Sequence, residues 1–362
     1  MKVVVAGTRG IPRIMGGVET HCEHLFPRLV ELGCDVTIIR RKPYVIEDNQ
    51  ETEYKGVKLV DLYAPRSKAL EAAVHTMLAV VRARRLHADV LHIHAIGPCL
   101  AVPLARLLGL RVVITNHGPD YDREKWGRLA KAVLRLGERW GVRYANEVIV
   151  ISQVIKELIA NKYGRRDSHL IYNGVPQPQM VDFPEYFQQL GIEPGKYLLS
   201  ACRLVPEKNM HHVLQAWRQL NTGDMKLVIA GDDNSEYARQ LKEEARKAGV
   251  VLTGFVRGRH LWSLLTHARA YLLPSSHEGL PIALLEAMSY RLPVIVSDIP
   301  ACLEVGLPDS CYFPLGDIDQ LRDKMREVLE APLQRCDYDM TPYDWDHIAQ
   351  QTLDVYRQLV KE

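Results

Sequence analysis

Two glutamates separated by seven residues stand in His277-Glu278-Gly279-Leu280-Pro281-Ile282-Ala283-Leu284-Leu285-Glu286-Ala287. Glu278 falls in a loop after the apolar run Ala270–Leu273, and Pro281 suits the first turn of a helix that carries Glu286. A carboxylate between apolar neighbours is costly to bury unless it is paired or hydrogen-bonded, and ribose and sugar hydroxyls are suitable partners. The alternative is a solvated helix glutamate. Upstream, the strand candidate Tyr197–Ala201 leads into Arg203-Leu-Val-Pro-Glu207-Lys208-Asn209. Two cations placed between a strand and a helix can converge on one diphosphate, arginine as a planar fork and lysine as a point charge.

A third constellation follows the first strand: Gly7-Thr-Arg-Gly10-Ile-Pro-Arg-Ile-Met-Gly16-Gly17-Val-Glu19-Thr20. Gly16 and Gly17 would let the backbone approach a bulky anion facing the amides of the following helix. The dinucleotide spacing Gly-x-Gly-x-x-Gly is absent, which argues against a nicotinamide enzyme. Asp-x-Asp triplets occur at Asp120/Asp122, Asp317/Asp319, Asp337/Asp339 and Asp344/Asp346. So cheap a pattern identifies no metal ligand, and none is expected. His92 and His94 read as packed or solvated side chains. The seven scattered cysteines have neither metal-ligand spacing nor a secreted framework, which suits free thiols in a reducing compartment.

These residues need rigid elements to hold them. Short β-branched runs alternate with amphipathic segments, the pattern of βαβ units around parallel sheets. Strands are predicted at Lys2–Ala6, Val36–Ile39, Val57–Asp61, Val90–His94, Val112–Asn116, Val148–Ile151 and Leu170–Tyr172. Helices are predicted at Val18–Leu32, Ala69–Leu86, Leu100–Leu108, Arg123–Tyr144 and Gln153–Tyr163. A Gly/Pro-rich linker at Asn173–Pro184 interrupts the alternation, which restarts with strands at Tyr197–Ala201, Lys226–Ala230, Val250–Thr253, Ala270–Leu273 and Val294–Ser297. A closing amphipathic segment spans Tyr343–Val360. With 362 residues, 47% hydrophobic and 25% charged, the chain suits two soluble α/β domains, at roughly 100–200 residues each. The expected division is 1–175 and 176–342, with the segment 343–362 packing back onto the first domain. Two doubly wound sheets would face each other across a cleft, with ligands beyond the carboxyl ends of the strands.

In order and spacing, the glutamate pair with Gly279 and Pro281, the Arg203/Lys208 pair with Glu207 and Asn209, and Gly16-Gly17 resemble the retaining glycosyltransferases of family 4, which have the GT-B fold. The opening Gly-Thr-Arg-Gly-Ile-Pro motif, Asn116-His117-Gly118-Pro-Asp120-Tyr-Asp-Arg123-Glu-Lys125-Trp126 and Ser297-Asp298-Ile299-Pro300 resemble a subgroup labelled as rhamnosyltransferases of bacterial cell-surface polysaccharides. That subgroup carries an aromatic after its Gly-Gly and a tryptophan after the central aspartate, where this chain has Val18 and Tyr121.

The resemblance implies transfer of a sugar, with retention and without a metal or other cofactor, from a dTDP-, UDP- or GDP-linked donor to a glycan or polyprenyl-diphosphate-linked acceptor. It implies that Arg203 and Lys208 hold the donor diphosphate, Glu278 the sugar hydroxyls and Glu286 the ribose. Gly16 and Gly17 would face the diphosphate and His117 the transferred sugar. Gly279 and Leu280 belong to the same motif, and the backbone of the Gly254-Phe255-Val256 loop is a candidate for base recognition. By the same analogy attack is front-face, with the leaving phosphate taking the acceptor proton. A double displacement would instead need two carboxyls about 5–5.5 Å apart. Other readings are a GT-B epimerase or sugar synthase, and a catalytically inactive nucleotide-sugar-binding partner.

Net charge is +2, yet residues 1–175 carry 27 basic against 18 acidic side chains and the remainder 19 against 26. On the predicted helix 123–144, Trp126, Leu129, Val133, Leu136 and Trp140 share one face, and Arg128, Lys131, Arg135 and Arg139 the opposite one. Such a face could meet an anionic membrane; the plainer alternative is a solvated helix. The chain is expected in the cytoplasm, with any membrane contact peripheral and on the inner face, and no nucleic-acid partner is expected. Its first residues read as a strand, so no signal peptide is expected, and the most apolar stretch, Leu100–Thr115, is interrupted by Arg106 and Arg111.

Overall fold

Runs such as Val3-Val4-Val5 and Leu198-Leu199 are buried on both faces, as strands covered by helices on either side must be. In the computed structural model of the protein, residues 1–14, 16–66, 71–122 and 127–361 are described. Arg123, Lys125 and Trp126, and the predicted start of a helix at Ala69, lie outside them.

The chain forms two compact units, Met1–Gly174 with Pro342–Glu362, and Val175–Thr341. The first contains β1 (Lys2–Ala6), β2 (Asp35–Arg41), β3 (Glu53–Tyr54), β4 (Val57–Leu62), β5 (Val90–His94), β6 (Val112–Asn116), β7 (Glu147–Val150) and β8 (His169–Leu170). Its sheet order is β3-β4-β2-β1-β5-β6-β7-β8, parallel except for the edge pair β3–β4. The second contains β9 (Tyr197–Ala201), β10 (Lys226–Ala230), β11 (Val251–Gly254), β12 (Ala270–Leu273), β13 (Val294–Ser297) and β14 (Tyr312–Phe313). Its order, β11-β10-β9-β12-β13-β14, is the Rossmann order and is parallel throughout. In each sheet the strand order reverses at one point, between β1 and β5 and between β9 and β12, and the loops leaving those strands flank the natural ligand position.

The closing helix Trp345–Lys361 belongs to the first unit. It buries Trp345, Ile348, Ala349, Leu353, Tyr356 and Leu359 at helical spacing, in one core with Leu25 and Phe26 of the helix Gly17–Glu31. Gly174 makes room for this: a Cβ there would lie 2.5 Å from the Trp345 ring.

Candidate active site

In the second unit, the loops leaving β9 and β12 are tied together at the switch point. Gly231, with φ +150°, lets the backbone pass close to the start of the first loop; a Cβ there would lie 1.8 Å from the Cys202 carbonyl oxygen. Asn209 adopts φ 48°, and its side-chain amide donates to the Pro274 carbonyl at 3.0 Å. The Ser276 amide donates to the Glu207 carbonyl at 2.8 Å. This stitching brings the Lys208 ammonium onto the Glu278 carboxylate in an ion pair largely shielded from solvent.

The sequence suggested that Arg203 and Lys208 converge. Their partners within the chain differ: Arg203 donates to Asp233 in the loop after β10 at 2.9 Å, and its side chain is 62% exposed. Burial pushes the Asp233 carboxyl up, but hydrogen bonds from Arg203 and Ser235 outweigh it and hold the pKa below the usual carboxylate value. Asp233 was not singled out from sequence, where no spacing links it to position 203.

Glu286 lies on the helix Ile282–Ser289, half-buried and flanked by the fully buried Leu285 and Ala287. Pro281 caps this helix at its N-terminus and is not within it. Burial pushes the Glu286 carboxyl up to about 7. No hydrogen bond or ion pair from the described residues reaches it, whereas Glu278 is neutralised by Lys208. Tyr271, on β12, bonds the Ala201 carbonyl and amide at 2.9 and 3.2 Å. Its hydroxyl is pushed up first by burial, and the charges of Glu286 and Glu278 add to the shift, so both carboxyls lie within electrostatic reach of one buried phenol. Gly279 and the buried Leu280 complete this loop. Gly254 (φ 70°), the exposed Phe255 and the half-buried Val256 leave β11 at the same, carboxyl edge of the sheet; the Gly231 amide donates to the Gly254 carbonyl at 2.8 Å.

In the first unit the ends of β5 and β6 carry neutral imidazoles, and the loop after β1 is closed by a carboxylate of the following helix. Gly16 precedes the helix Gly17–Glu31 with φ +155°, and a Cβ there would lie 2.0 Å from the Glu19 carboxylate. That carboxylate accepts from the Arg9 amide at 2.9 Å and the Thr8 hydroxyl at 3.2 Å, folding the loop back onto the first helical turn. Gly17 differs, since a Cβ there would meet nothing within 4 Å.

His117, after β6, is half-buried, and its Nε2 lies 3.1 Å from Nδ1 of His94 at the end of β5. His21, from the first helix, bonds Asn173 Oδ1 through Nδ1 at 2.7 Å, so its Nε2 carries a lone pair that no donor meets. Behind them His92 bonds the Tyr356 hydroxyl at 2.6 Å and the Thr115 hydroxyl at 2.7 Å. Burial depresses all four imidazoles, His21 to about 4 and His92 to about 3, so the cluster is uncharged near neutrality. His92 and His94 are therefore hydrogen-bonded core residues. One nitrogen each from His21, His94 and His117 lie within 4.8 Å of one another, and among the described residues this is the one group able to offer three ligands to a cation. The bare His21 Nε2 can instead accept a hydrogen bond from a sugar hydroxyl, while the His94–His117 bond leaves one outer nitrogen of that neutral pair an acceptor and the other a donor. The sequence singled out His117, but nothing in its spacing joins His21 or Asn173 to it.

Comparison with known proteins gives this geometry its context. Residues 15–177 match the family model described as Glycosyltransferase Family 4, and residues 182–340 the model described as Glycosyl transferases group 1. An uncharacterized glycosyltransferase of Methanocaldococcus jannaschii is 25% identical, with 99% of this chain and 98% of that protein covered. Sucrose-phosphate synthase from Thermosynechococcus elongatus shares the fold, with TM-score 0.78 and 18% identity over 99% of this chain and 98% of that one. HepE from Anabaena, solved with UDP and glucose, gives TM-score 0.73 and 18% identity over 99% and 95%. With a glycosyltransferase model on each half and these neighbours along its whole length, the chain is a glycosyltransferase of the GT-B fold.

Proposed function

We propose that the protein is a hexosyltransferase. It moves a sugar, with retention and without a metal at the diphosphate, from a nucleotide-diphosphate donor to a glycan or polyprenyl-diphosphate-linked acceptor of cell-surface polysaccharide synthesis. The observation that carries this reading is the Lys208–Glu278 pair fixed at the second unit's switch point, with the unpartnered Glu286 carboxyl on the next helix. Breaking the anomeric bond builds positive charge on the sugar and negative charge on the departing diphosphate. Lys208 and Arg203 stabilise that leaving group, and Glu278 holds the donor sugar's hydroxyls beside it. Ribose hydroxyls donate to Glu286 and satisfy a carboxylate that the protein leaves without donors. The backbone around Val256 faces the base, Gly279 and Leu280 shape the loop, Gly16 and Gly17 keep a helix N-terminus open to an anion, and His117 accepts from a sugar hydroxyl.

UDP bound to HepE makes uridine the first donor class to test, and the resemblance to rhamnosyltransferases makes dTDP-rhamnose the second. Thermal unfolding with UDP, GDP and dTDP reads the choice directly, because a nucleotide at a hundred times its Kd adds about 2.7 kcal/mol. Transfer in EDTA, with the anomeric configuration of the product read by NMR, tests metal independence and retention. A chain whose unfolding no nucleoside diphosphate shifts does not fit this function, and one that binds donor without turnover is the inactive partner instead.

A further inference from the structure

The helix Arg128–Tyr144 carries an apolar row, Leu129, Val133 and Leu136, that an ordinary amphipathic helix would bury. The structure turns the opposite way. Gly137 and Gly141 face inward, where a Cβ would lie 2.3 Å from the Ile96 carbonyl oxygen and 2.8 Å from the Cys99 side chain respectively. The helix thus docks by its smooth side, and the apolar row faces solvent, Leu129 at 81% exposure.

The same arrangement recurs next to it. The helix Glu71–Arg85 buries His75, Ala79, Val80 and Ala83 and exposes Val74, Leu78 and Val81. Between the two, the helix Val102–Leu107 packs against both and ends on Leu107, 85% exposed. The connections β4 to β5, β5 to β6 and β6 to β7 advance in one direction across the sheet, so right-handed crossovers put all three helices on one face of it.

The charge on these helices is one-sided. Together they carry nine Lys and Arg against two Glu. Both glutamates are taken up internally, Glu71 by Arg41 at 2.8 Å and Glu138 by Lys162 at 2.7 Å. No described ion pair neutralises Arg128, Lys131, Arg135, Arg139 or Arg143. Exposed leucines and valines flanked by basic side chains outside any described ion pair, with Arg135 stacked over the Tyr121 ring, match the chemistry of an anionic bilayer surface, apolar just below the headgroups and negative at them.

We infer that this three-helix face of the first unit rests on an anionic lipid surface, with Leu129, Val133 and Leu136 entering the headgroup boundary and the arginines meeting lipid phosphates. The inference does not depend on the identity of the donor. Flotation of the full chain with vesicles of phosphatidylcholine alone, or with a third of phosphatidylglycerol, tests it. Binding is expected only to the anionic vesicles and should weaken as salt is raised. The triple variant Arg128→Gln, Arg135→Gln, Arg139→Gln should lower partitioning on the order of a hundredfold, while nucleotide-induced thermal shifts persist. Leu129→Ser, Val133→Ser, Leu136→Ser should lower it by roughly tenfold or more. Equal partitioning onto both vesicles, no partitioning, or partitioning unchanged in the arginine variant would overturn the proposal. So would self-association in solution that the serine variant abolishes, because the face would then belong to a second copy. Should the serine variant fail to fold, the arginine variant decides alone.

Discussion

The two units share the strand order around their switch points but line the strand ends there with different chemistry. In the second unit the loops after β9, β10 and β12 carry charges, each set against a counter-charge: Lys208 on Glu278 and Arg203 on Asp233. In the first, the ends of β5 and β6 carry imidazoles that burial keeps neutral. Their outer surfaces invert the contrast. Helices of the second unit mix both signs in local pairs such as Arg322–Asp319 and Arg326–Asp323, whereas the three helices on one face of the first carry nine Lys and Arg against two internally paired Glu. One scaffold can therefore present fixed charge suited to a diphosphate, or neutral hydrogen-bonding groups suited to hydroxyls. What decides is the loop residues, because the sheet supplies only position.

The largest effect expected from breaking this contrast comes from Lys208→Ala. If the ammonium stabilises a leaving diphosphate, kcat/KM should fall roughly a hundred- to a thousandfold, about 2.7–4 kcal/mol of barrier. Part of any loss could come from an unpaired Glu278, so the double variant Lys208→Ala, Glu278→Gln is informative: it should recover thermal stability and not turnover. Arg203→Ala should cost less, roughly ten- to a hundredfold, because Arg203 is mostly exposed and already shares its charge with Asp233. Equal losses at both positions would mean that the stitched loop does not set the lysine apart.

The units should also respond to pH with opposite sign. Glu286 is raised from 4.5 to about 7, so the folded second unit holds a proton that the unfolded chain has released. Its stability should fall as pH rises through that window, by up to about 3 kcal/mol. His21 and His92 are depressed from 6.5 to about 4 and about 3, so the first unit's contribution is whole above 6.5 and lost as pH falls below it. Hydrogen exchange read peptide by peptide, between roughly pH 5 and 6.5, should show the two units moving in opposite directions. Glu286→Gln should flatten the second unit's trend. His21→Asn, which keeps a donor for Asn173, should reduce the first's. Parallel movement of both units would break the comparison.

Much of this scaffold was legible because buried parallel strands announce themselves. Lys2–Ala6, Val90–His94, Val112–Asn116, Tyr197–Ala201 and Lys226–Ala230 have the predicted bounds. The two-residue strands Glu53–Tyr54 and Tyr312–Phe313 were not legible, because an edge pairing that short leaves no periodicity. The helix predicted from Leu100 begins at Val102, after a 3-10 turn Pro98–Ala101. At the sites, local motifs were readable and long-range partners were not. The sequence pointed to Lys208 and Glu278 separately, but Asp233, Tyr271, His21 and Asn173 join their groups only through strand order. The apolar row on Arg128–Tyr144 was legible as a row; its outward aim was not, because it depends on what Gly137 and Gly141 touch.

The smallest structural effect falls at the glycines, where the two possible reasons for a glycine can be told apart. Gly16 has an internal reason, φ +155° and the Glu19 carboxylate where a Cβ would stand. Gly16→Ala should therefore destabilise the first unit with or without ligand. Gly17 has no such reason: it opens the helix and faces empty space. By helix propensity alone, Gly17→Ala should leave stability unchanged or raise it by up to about 1 kcal/mol. A methyl group there matters only to something that approaches from outside. If the helix N-terminus receives an anion, Gly17→Ala should raise the donor KM severalfold at unchanged or improved melting temperature. Unchanged KM would leave Gly17 without a role in binding and confine the donor's anionic contacts to the charged loops of the second unit.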